Sequence, residues 1–150
     1  EIEFQGLITE NLQLDISASY VDAKLEQDSS LGEKGDNLPG SADYNLSVGF
    51  QYDFIVAGHN SFVRSDYSYI GEYYSNLAET GTSSGDFAQI NLKAGVAIDQ
   101  LSVDLFVNNL TNDDGLTWVE NTVSNLSASD ITRGYRIRPR TVGVNVGYRF

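Results

Sequence analysis

The sequence contains no cysteine, no methionine, a single histidine and only nine lysines and arginines against 21 acidic residues. Without cysteine there can be no disulfide and no thiolate metal site, which suits an oxidising compartment. The lone His59 has no second histidine or cysteine for a metal site and is expected in a solvated turn. A net charge of −12 argues against a nucleic-acid partner, which calls for a basic surface. Only 41% of the residues are hydrophobic, and no run approaches the roughly 18 apolar residues of a membrane helix. There is no initiator methionine, signal peptide or amphipathic targeting segment. The chain opens on Glu1-Ile2-Glu3-Phe4, already in alternation, and is expected to be cut from something longer.

Hydropathy alone would read this composition as soluble, but a transmembrane strand needs only every second residue apolar. Val142 to Phe150 has that form: Val142, Val144, Val146, Tyr148 and Phe150 alternate with Gly143, Asn145, Gly147 and Arg149. A strand built this way has one apolar face for lipid and one small or polar face for a lumen. The same alternation recurs upstream. Leu101, Val103, Leu105 and Val107 carry one segment; Ala88, Ile90, Leu92, Ala94, Val96 and Ile98 carry another. Val63, Ser65, Tyr67, Tyr69 and Tyr73 are expected outward, with Arg64, Asp66, Ser68 and Glu72 inward. Tyr44 to Phe54, Leu12 to Tyr20 and the segment beginning at Ile2 complete about seven strands, most near the length that crosses a membrane at a tilt. Nine tyrosines and seven phenylalanines suit aromatic girdles at the two interfaces.

Short and long connections alternate strictly. The short ones fall at Thr9-Glu10-Asn11, around Ala57-Gly58-His59-Asn60 and at Asp99-Gln100; the long polar ones run Glu26 to Ser41, Ser75 to Gly85 and Thr111 to Gly134. In outer-membrane barrels short turns are periplasmic and long loops extracellular, which places Phe150 at the periplasmic end. In an up-and-down meander of seven strands the first and last run in the same direction and cannot pair antiparallel. Bacterial single-chain barrels have even strand numbers, so either one strand is miscounted or this is part of a larger barrel, and the second is expected.

The final strand resembles the carboxy-terminal strand of bacterial outer-membrane proteins, which the barrel assembly machinery recognises. Thr141, Gly143, Val146 and Tyr148 match its polar-x-Gly-x-x-apolar-x-aromatic pattern, and Phe150 supplies a terminal aromatic residue. Leu101 to Thr111, L-S-V-D-L-F-V-N-N-L-T, resembles the penultimate strand of TonB-dependent outer-membrane receptors, typified by "lfv-N-L-t-D" running into an acidic loop. Arg138-Pro139-Arg140-Thr141-Val142-Gly143 is similar to the family's "p-R-t-x-G" approach to the last strand. Gly35 to Asn45, Tyr20-Val21-Asp22-Ala23 and Glu1 to Gly6 resemble further family phrases in the same order, the last without its usual first glycine.

The resemblance implies an all-β, antiparallel, up-and-down barrel of roughly 22 strands, closed by an amino-terminal plug. Such receptors import ferric siderophores, haem, cobalamin or oligosaccharides with energy drawn through TonB, which pulls on a short box ahead of the plug. Plug and TonB box are missing here, so residues 1–150 are expected to supply one carboxy-terminal barrel segment, roughly the last third of the wall. The implied partners are outer-membrane lipid and lipopolysaccharide, the plug and remaining strands, the TonB complex through the absent amino-terminal region, and the barrel assembly machinery. The implied location is the outer membrane of a Gram-negative bacterium. No cofactor, metal or catalytic residue is expected.

Several residues invite a functional reading, each set against a plainer one. The inward set Glu1, Glu3, Asp15, Asp53, Asp66, Glu72 and Asp104, against Arg64, Lys93 and Arg149, could contact a plug or shape a substrate path; a wetted lumen wall explains it more simply. Arg136, Arg138 and Arg140 are expected to share the face of Val142 at the extracellular rim, where lipopolysaccharide phosphates lie. Interfacial snorkelling is the plainer account, and Pro139 interrupts the ladder there. Trp118, Arg133 and Tyr135, in the longest loop, are candidate ligand contacts, with self-packing of the loop as the alternative. Asp113-Asp114-Gly115 lacks EF-hand spacing and reads as turn chemistry. Asn-x-Ser/Thr matches at Asn45, Asn109 and Asn125 carry no weight in a bacterium.

Three functions compete. A TonB-dependent nutrient receptor segment comes first, a small independent barrel of about eight strands with a structural or adhesive role second. A soluble β-sandwich or lipocalin-like binder is third; it would need the apolar faces to converge on one core, and polar loops of about 11 to 24 residues are long for such folds.

Overall fold

Period-two alternation and short turns are enough to build a meander, and the computed structural model shows one. It describes residues 1–77, 79, 81–123 and 130–150. The strands are β1 (Ile2–Thr9), β2 (Leu12–Tyr20), β3 (Tyr44–Val56), β4 (His59–Ile70), β5 (Phe87–Ile98), β6 (Leu101–Asn108), β7 (Leu116–Val123), β8 (Asp130–Arg136) and β9 (Thr141–Tyr148). Seven of them form one sheet in the order β1-β2-β3-β4-β5-β6-β9, and β7 and β8 form a separate two-stranded ribbon. Every neighbouring pair is antiparallel.

Register decides which face each side chain takes. Directly opposed residues share a face, and here apolar opposes apolar from strand to strand. One row runs Leu12, Tyr52, Val63, Ala94, Leu105, Val144 across six strands. Another runs Phe4, Ile16, Val48, Tyr67, Ile90. The opposite face carries rows such as Gln13, Gln51, Arg64, Lys93, Phe106, Gly143. All seven strands therefore turn their alternating apolar set to the same side, while Leu7, Phe62 and Phe106 stand on the other face among its polar residues.

That side is large and bare. Leu105 is 62% exposed, Val144 56% and Val146 66%. Among the described residues only Ala42, Phe87 and Val119 are buried apolar ones. A β-sandwich places two inner faces against each other to make its core; the described residues form one layer with no facing sheet, so the soluble-sandwich reading fails. Aromatic residues gather at the two ends of the apolar face. Tyr20 and Tyr44 sit 5.1 Å apart at the long-loop end, while Tyr52 stacks on Phe54 at 5.8 Å and Tyr148 meets Phe150 edge-on at 5.1 Å near the short turns. From Tyr44 to Phe54 the strand rises about 33 Å. At a tilt of about 40° this is about 25 Å along the membrane normal, the height of an outer-membrane apolar band.

The short turns follow from local chemistry. Ala57 and Gly58 both have positive φ, 51° and 83°, the two-residue turn whose twist matches a hairpin. His59 is thereby not a turn residue: it begins β4 opposite Val56. Thr9 Oγ1 accepts hydrogen bonds from the N–H groups of Asn11 and Leu12 and closes the first turn.

Three expectations need correction. The alternation puts Tyr73 and Glu72 at the end of a strand, but β4 stops at Ile70 because β3 begins at Tyr44 and offers no partner beyond it. Glu1, Arg149 and Phe150 lie just outside β1 and β9. The connection from Thr111 to Gly134 is not wholly loop, since it holds the β7–β8 ribbon; residues 124–129, including Asn125, lie outside the described residues.

Replacing Leu105 or Val144 by arginine should destabilise the inserted protein by about 2–4 kcal/mol, because each would carry charge into the middle of the apolar band. Spin labels at Leu92, Val96, Val103 or Val146 should be relaxed by lipid-soluble oxygen and not by aqueous quenchers. The reverse pattern would overturn the register.

Candidate functional site

Charge on the inner face is concentrated and internally paired. Asp15, Gly49 and Asp66 lie in one row across β2, β3 and β4. Arg64 reaches over this row: its guanidinium meets Asp66 at 2.6 Å and Asp15 at 3.2 Å. It can do so because position 49 has no side chain. A Cβ there would stand 2.8 Å from the Arg64 guanidinium nitrogen and 3.0 Å from Asp66 Oδ1. Lys93 is register partner to Arg64, but its ammonium turns the other way, to Asp104 at 2.9 Å and over the Phe62 ring at 5.5 Å. A depression of about 440 Å³ lies among Arg64, Asp66, Asn91, Lys93, Phe106 and Asn145. Glu72, expected on this wall, lies instead in the connection after β4, where it lines a cavity of about 270 Å³ with Asp43, Tyr44, Tyr73, Tyr74 and Glu79.

At the long-loop end the three connections lean on one another. Gly40 N–H donates to Tyr74 O at 2.7 Å, and Gly85 N–H to Leu116 O at 2.8 Å. The Tyr73 hydroxyl donates to Thr117 O, and burial pushes this phenol above its usual pKa. Trp118 lies against Gly40, where an added Cβ would meet its ring at 3.3 Å. Val119, on the opposite side of β7, is 1% exposed.

The ribbon carries the three residues singled out as ligand contacts. Trp118 pairs with Tyr135 and Glu120 with Arg133. Because opposed residues share a face, Trp118, Glu120, Arg133 and Tyr135 all project from the same side of the ribbon. Trp118 is 41% and Tyr135 61% exposed, so the ring that touches Gly40 still shows much of its surface.

The three arginines of the rim are not aligned. Arg136 belongs to β8 and is bound to Asp114, whose carboxylate and carbonyl oxygens it meets at 2.7 and 2.6 Å. Arg138 and Arg140 lie between β8 and β9, and only Arg140 directly precedes β9; its guanidinium donates to Leu110 O at 3.3 Å. Of the assembly pattern, Val146 and Tyr148 stand on the apolar face and Gly143 on the inner face, beneath the Phe106 ring. Phe150 lies beyond β9 and packs edge-on against Tyr148.

Sequence reasoning missed the residue that joins these parts. Asn109 is 1% exposed, with φ at 52°. Its backbone N–H donates to Asn91 Oδ1 at 2.9 Å; its amide donates to Asp113 O at 2.8 Å and Arg138 O at 3.0 Å; its Oδ1 accepts from Asp113 N–H at 3.0 Å. The available signal was the Asn/Asp-rich run N-N-L-T-N-D-D-G, since these residues tolerate positive φ and bond their own backbone. Beneath the run, Phe87 packs directly on Gly115. Among the described residues no group of three histidine, cysteine, aspartate or glutamate side chains could hold a metal.

A one-layer sheet with a lipid-matched outer face, a charged inner wall and a braced loop end defines a segment of an outer-membrane barrel wall. A family model described as TonB dependent receptor-like, beta-barrel matches residues 1–110, and the chain belongs to that family, whose members reside in the outer membrane of Gram-negative bacteria. The fold is similar to that of the ferric yersiniabactin uptake receptor FyuA from Yersinia pestis (TM-score 0.78, 18% identity, 99% of this chain and 22% of that one). It is also similar to BauA, the ferric preacinetobactin receptor from Acinetobacter baumannii (TM-score 0.72, 19% identity, 97% of this chain and 21% of that one). The chain thus spans about a fifth of the length of these solved receptors. No curated protein matches it by sequence.

Gly115→Ala should be felt through Phe87. The added methyl would collide with the ring, and overpacking of this kind costs about 1–3 kcal/mol. A lowered temperature for loss of the folded band on unheated gels would register it, and an unchanged temperature would show that the ring moves aside freely.

Proposed function

We propose that this chain forms the carboxy-terminal barrel wall, residues 1–150, of an outer-membrane receptor that captures a scarce nutrient outside the cell and imports it with energy delivered through TonB. The observation that carries the reading is the pairing of a continuous apolar outer face with a charged inner wall, inside a family match over residues 1–110. Seven strands leave β1 and β9 running in the same direction, so an all-antiparallel barrel closes only with an odd number of further strands. The inner wall then faces a plug, and the long connections lie outside the cell.

Ferric siderophores are the favoured cargo, ahead of haem, cobalamin and oligosaccharides. The names of the two similar receptors support that choice. Trp118, Arg133 and Tyr135 are the proposed contacts: they share one ribbon face and combine rigid aromatic area with a guanidinium. Arg138 and Arg140 are the proposed contacts to lipopolysaccharide phosphate, with Arg136 contributing through the same rim although Asp114 already holds it. Thr141, Gly143, Val146, Tyr148 and Phe150 are the proposed recognition strand for the barrel assembly machinery. No catalytic role is assigned.

Alanine at Trp118, Arg133 and Tyr135 together should weaken binding of a panel of ferric siderophores to whole cells while leaving receptor abundance intact. Uptake by the parent protein should vanish when TonB is deleted. Uptake that persists without TonB would sink the transporter reading even with every strand in place.

Deleting Phe150 in the full-length protein should lower its amount in the outer membrane and leave transport per inserted molecule unchanged. Normal abundance with normal heat-modifiable mobility would remove the assembly role.

A further inference from the structure

The ladder that joins β6 to β9 ends at Asn108 and Thr141, and the ribbon ladder begins only at Leu116 and Arg136. Between them, residues 109–115 and 137–140 form a joint that no continuous ladder crosses. One backbone bond, Ile137 N–H to Gly115 O at 3.0 Å, lies at its outer edge. A two-stranded ribbon on such a joint should pivot, since an isolated hairpin is marginal in water and gains no stiffness from its neighbours' ladder. Side chains span the gap: Arg136 holds Asp114 at the exposed outer edge and the Arg140 guanidinium reaches Leu110 O, while the buried tie is Asn109. The Asn109 amide bonds the far limb of the joint at Arg138 O and the near limb at Asp113 O and N–H, while its own N–H is held from below by Asn91 on β5.

From this geometry we propose that Asn109 is the positioning residue of the capture ribbon: it fixes the angle at which the face bearing Trp118, Glu120, Arg133 and Tyr135 stands on the barrel. The inference rests on the reading of that face as the ligand-contacting one only for its purpose, since the angle itself can be measured with no ligand present. Asparagine suits the place on two counts. It accepts the left-handed φ of 52° better than most residues, and its amide both donates and accepts, which the arrangement needs at once. Asn112 and Arg140 add a second, exposed tie, Arg140 N–H to Asn112 Oδ1 at 3.0 Å, on the flank of the same joint. Lateral contacts from Gly85, Tyr73 and Gly40 also reach the ribbon, at Leu116, Thr117 and Trp118.

The test uses the full-length receptor with spin labels at Glu120→Cys on the ribbon and Ser65→Cys on the outer face of β4. Asn109→Gly keeps the backbone conformation available and removes only the amide. It should leave abundance in the membrane normal and broaden or shift the label-to-label distance distribution. In parallel, amide exchange over residues 113–116 should rise about fivefold, the factor one net hydrogen bond represents, while exchange across β6 and β9 stays unchanged. Asn109→Asp keeps the acceptor and loses both donations; it is read the same way should the glycine variant not reach the membrane. An unchanged distance distribution overturns the proposal. So does equal loosening of the β6–β9 ladder, or failure of both variants to insert, because Asn109 would then be a part of the wall and not of the joint. Should the ribbon swing while the alanine variants at Trp118, Arg133 and Tyr135 bind normally, the positioning role stands and the capture reading alone falls.

Discussion

Inside hydrocarbon no water is available to a peptide group, so every N–H and C=O of a spanning strand must find its partner in the neighbouring strand. In this chain that demand is met by six antiparallel ladders among seven strands, and the ladders fix everything else on the wall. A slip of one residue between any two strands would turn an apolar face inward and send a row such as Gln13, Gln51, Arg64, Lys93 into lipid. Hydrogen bonding and hydrophobic matching therefore select the same register. Neither could be altered without the other.

The inner wall solves a packing problem that the outer face does not have. It carries charge and bulk in a thin layer that, among the described residues, no second sheet covers. Where a large side chain lies across a strand, the strand beneath presents glycine: Arg64 over Gly49, Phe62 over Gly95, Phe106 over Gly143. Arg64 and Lys93 stand opposite one another, an arrangement that repels. It persists because each cation is drawn sideways, one toward Asp15 and Asp66 and the other toward Asp104. The pairs are half-exposed, so their contribution lies in orientation more than in stability.

Much of this wall was legible in the residues because period-two alternation is a local signal. Leu92 to Ile98 and Leu101 to Val107 announce their facing without reference to any partner. Turn positions were equally plain at Asp99-Gln100, where Asp99 adopts positive φ. The end of β4 was not, since what stops it is the absence of a β3 partner above Tyr44, a fact about another strand. The β7–β8 ribbon was hidden for a similar reason. Leu116 to Val123 mixes Thr, Trp, Glu and Asn, and only pairing with β8 and burial of Val119 make it a strand. Trp118, Arg133 and Tyr135 were chosen by side-chain type; that they share a face is a property of the ribbon's register. Parity along the chain put Arg136, Arg138 and Arg140 together, and the break between β8 and β9 took them apart.

The two kinds of pairing divide the molecule at the membrane surface. Below it, backbone ladders hold the wall and side chains merely face one way or the other. Above it, water can satisfy the backbone, so ladders are no longer compulsory and the chain is free to use short bridges: Lys24 with Asn37, Tyr73 with Ser84, Gly85 with Leu116. Order there has to come from side chains that reach between loops. Asn109, Tyr73 and the Phe87 ring under Gly115 provide it, each within or just beyond the end of a spanning strand. Such contacts are few and individually worth little more than a net hydrogen bond or one packed ring. A surface held in this way keeps its shape while remaining open to change one residue at a time, whereas the ladders below admit almost none. That contrast separates a sheet fixed by its ladders from a ribbon whose position is set by side chains.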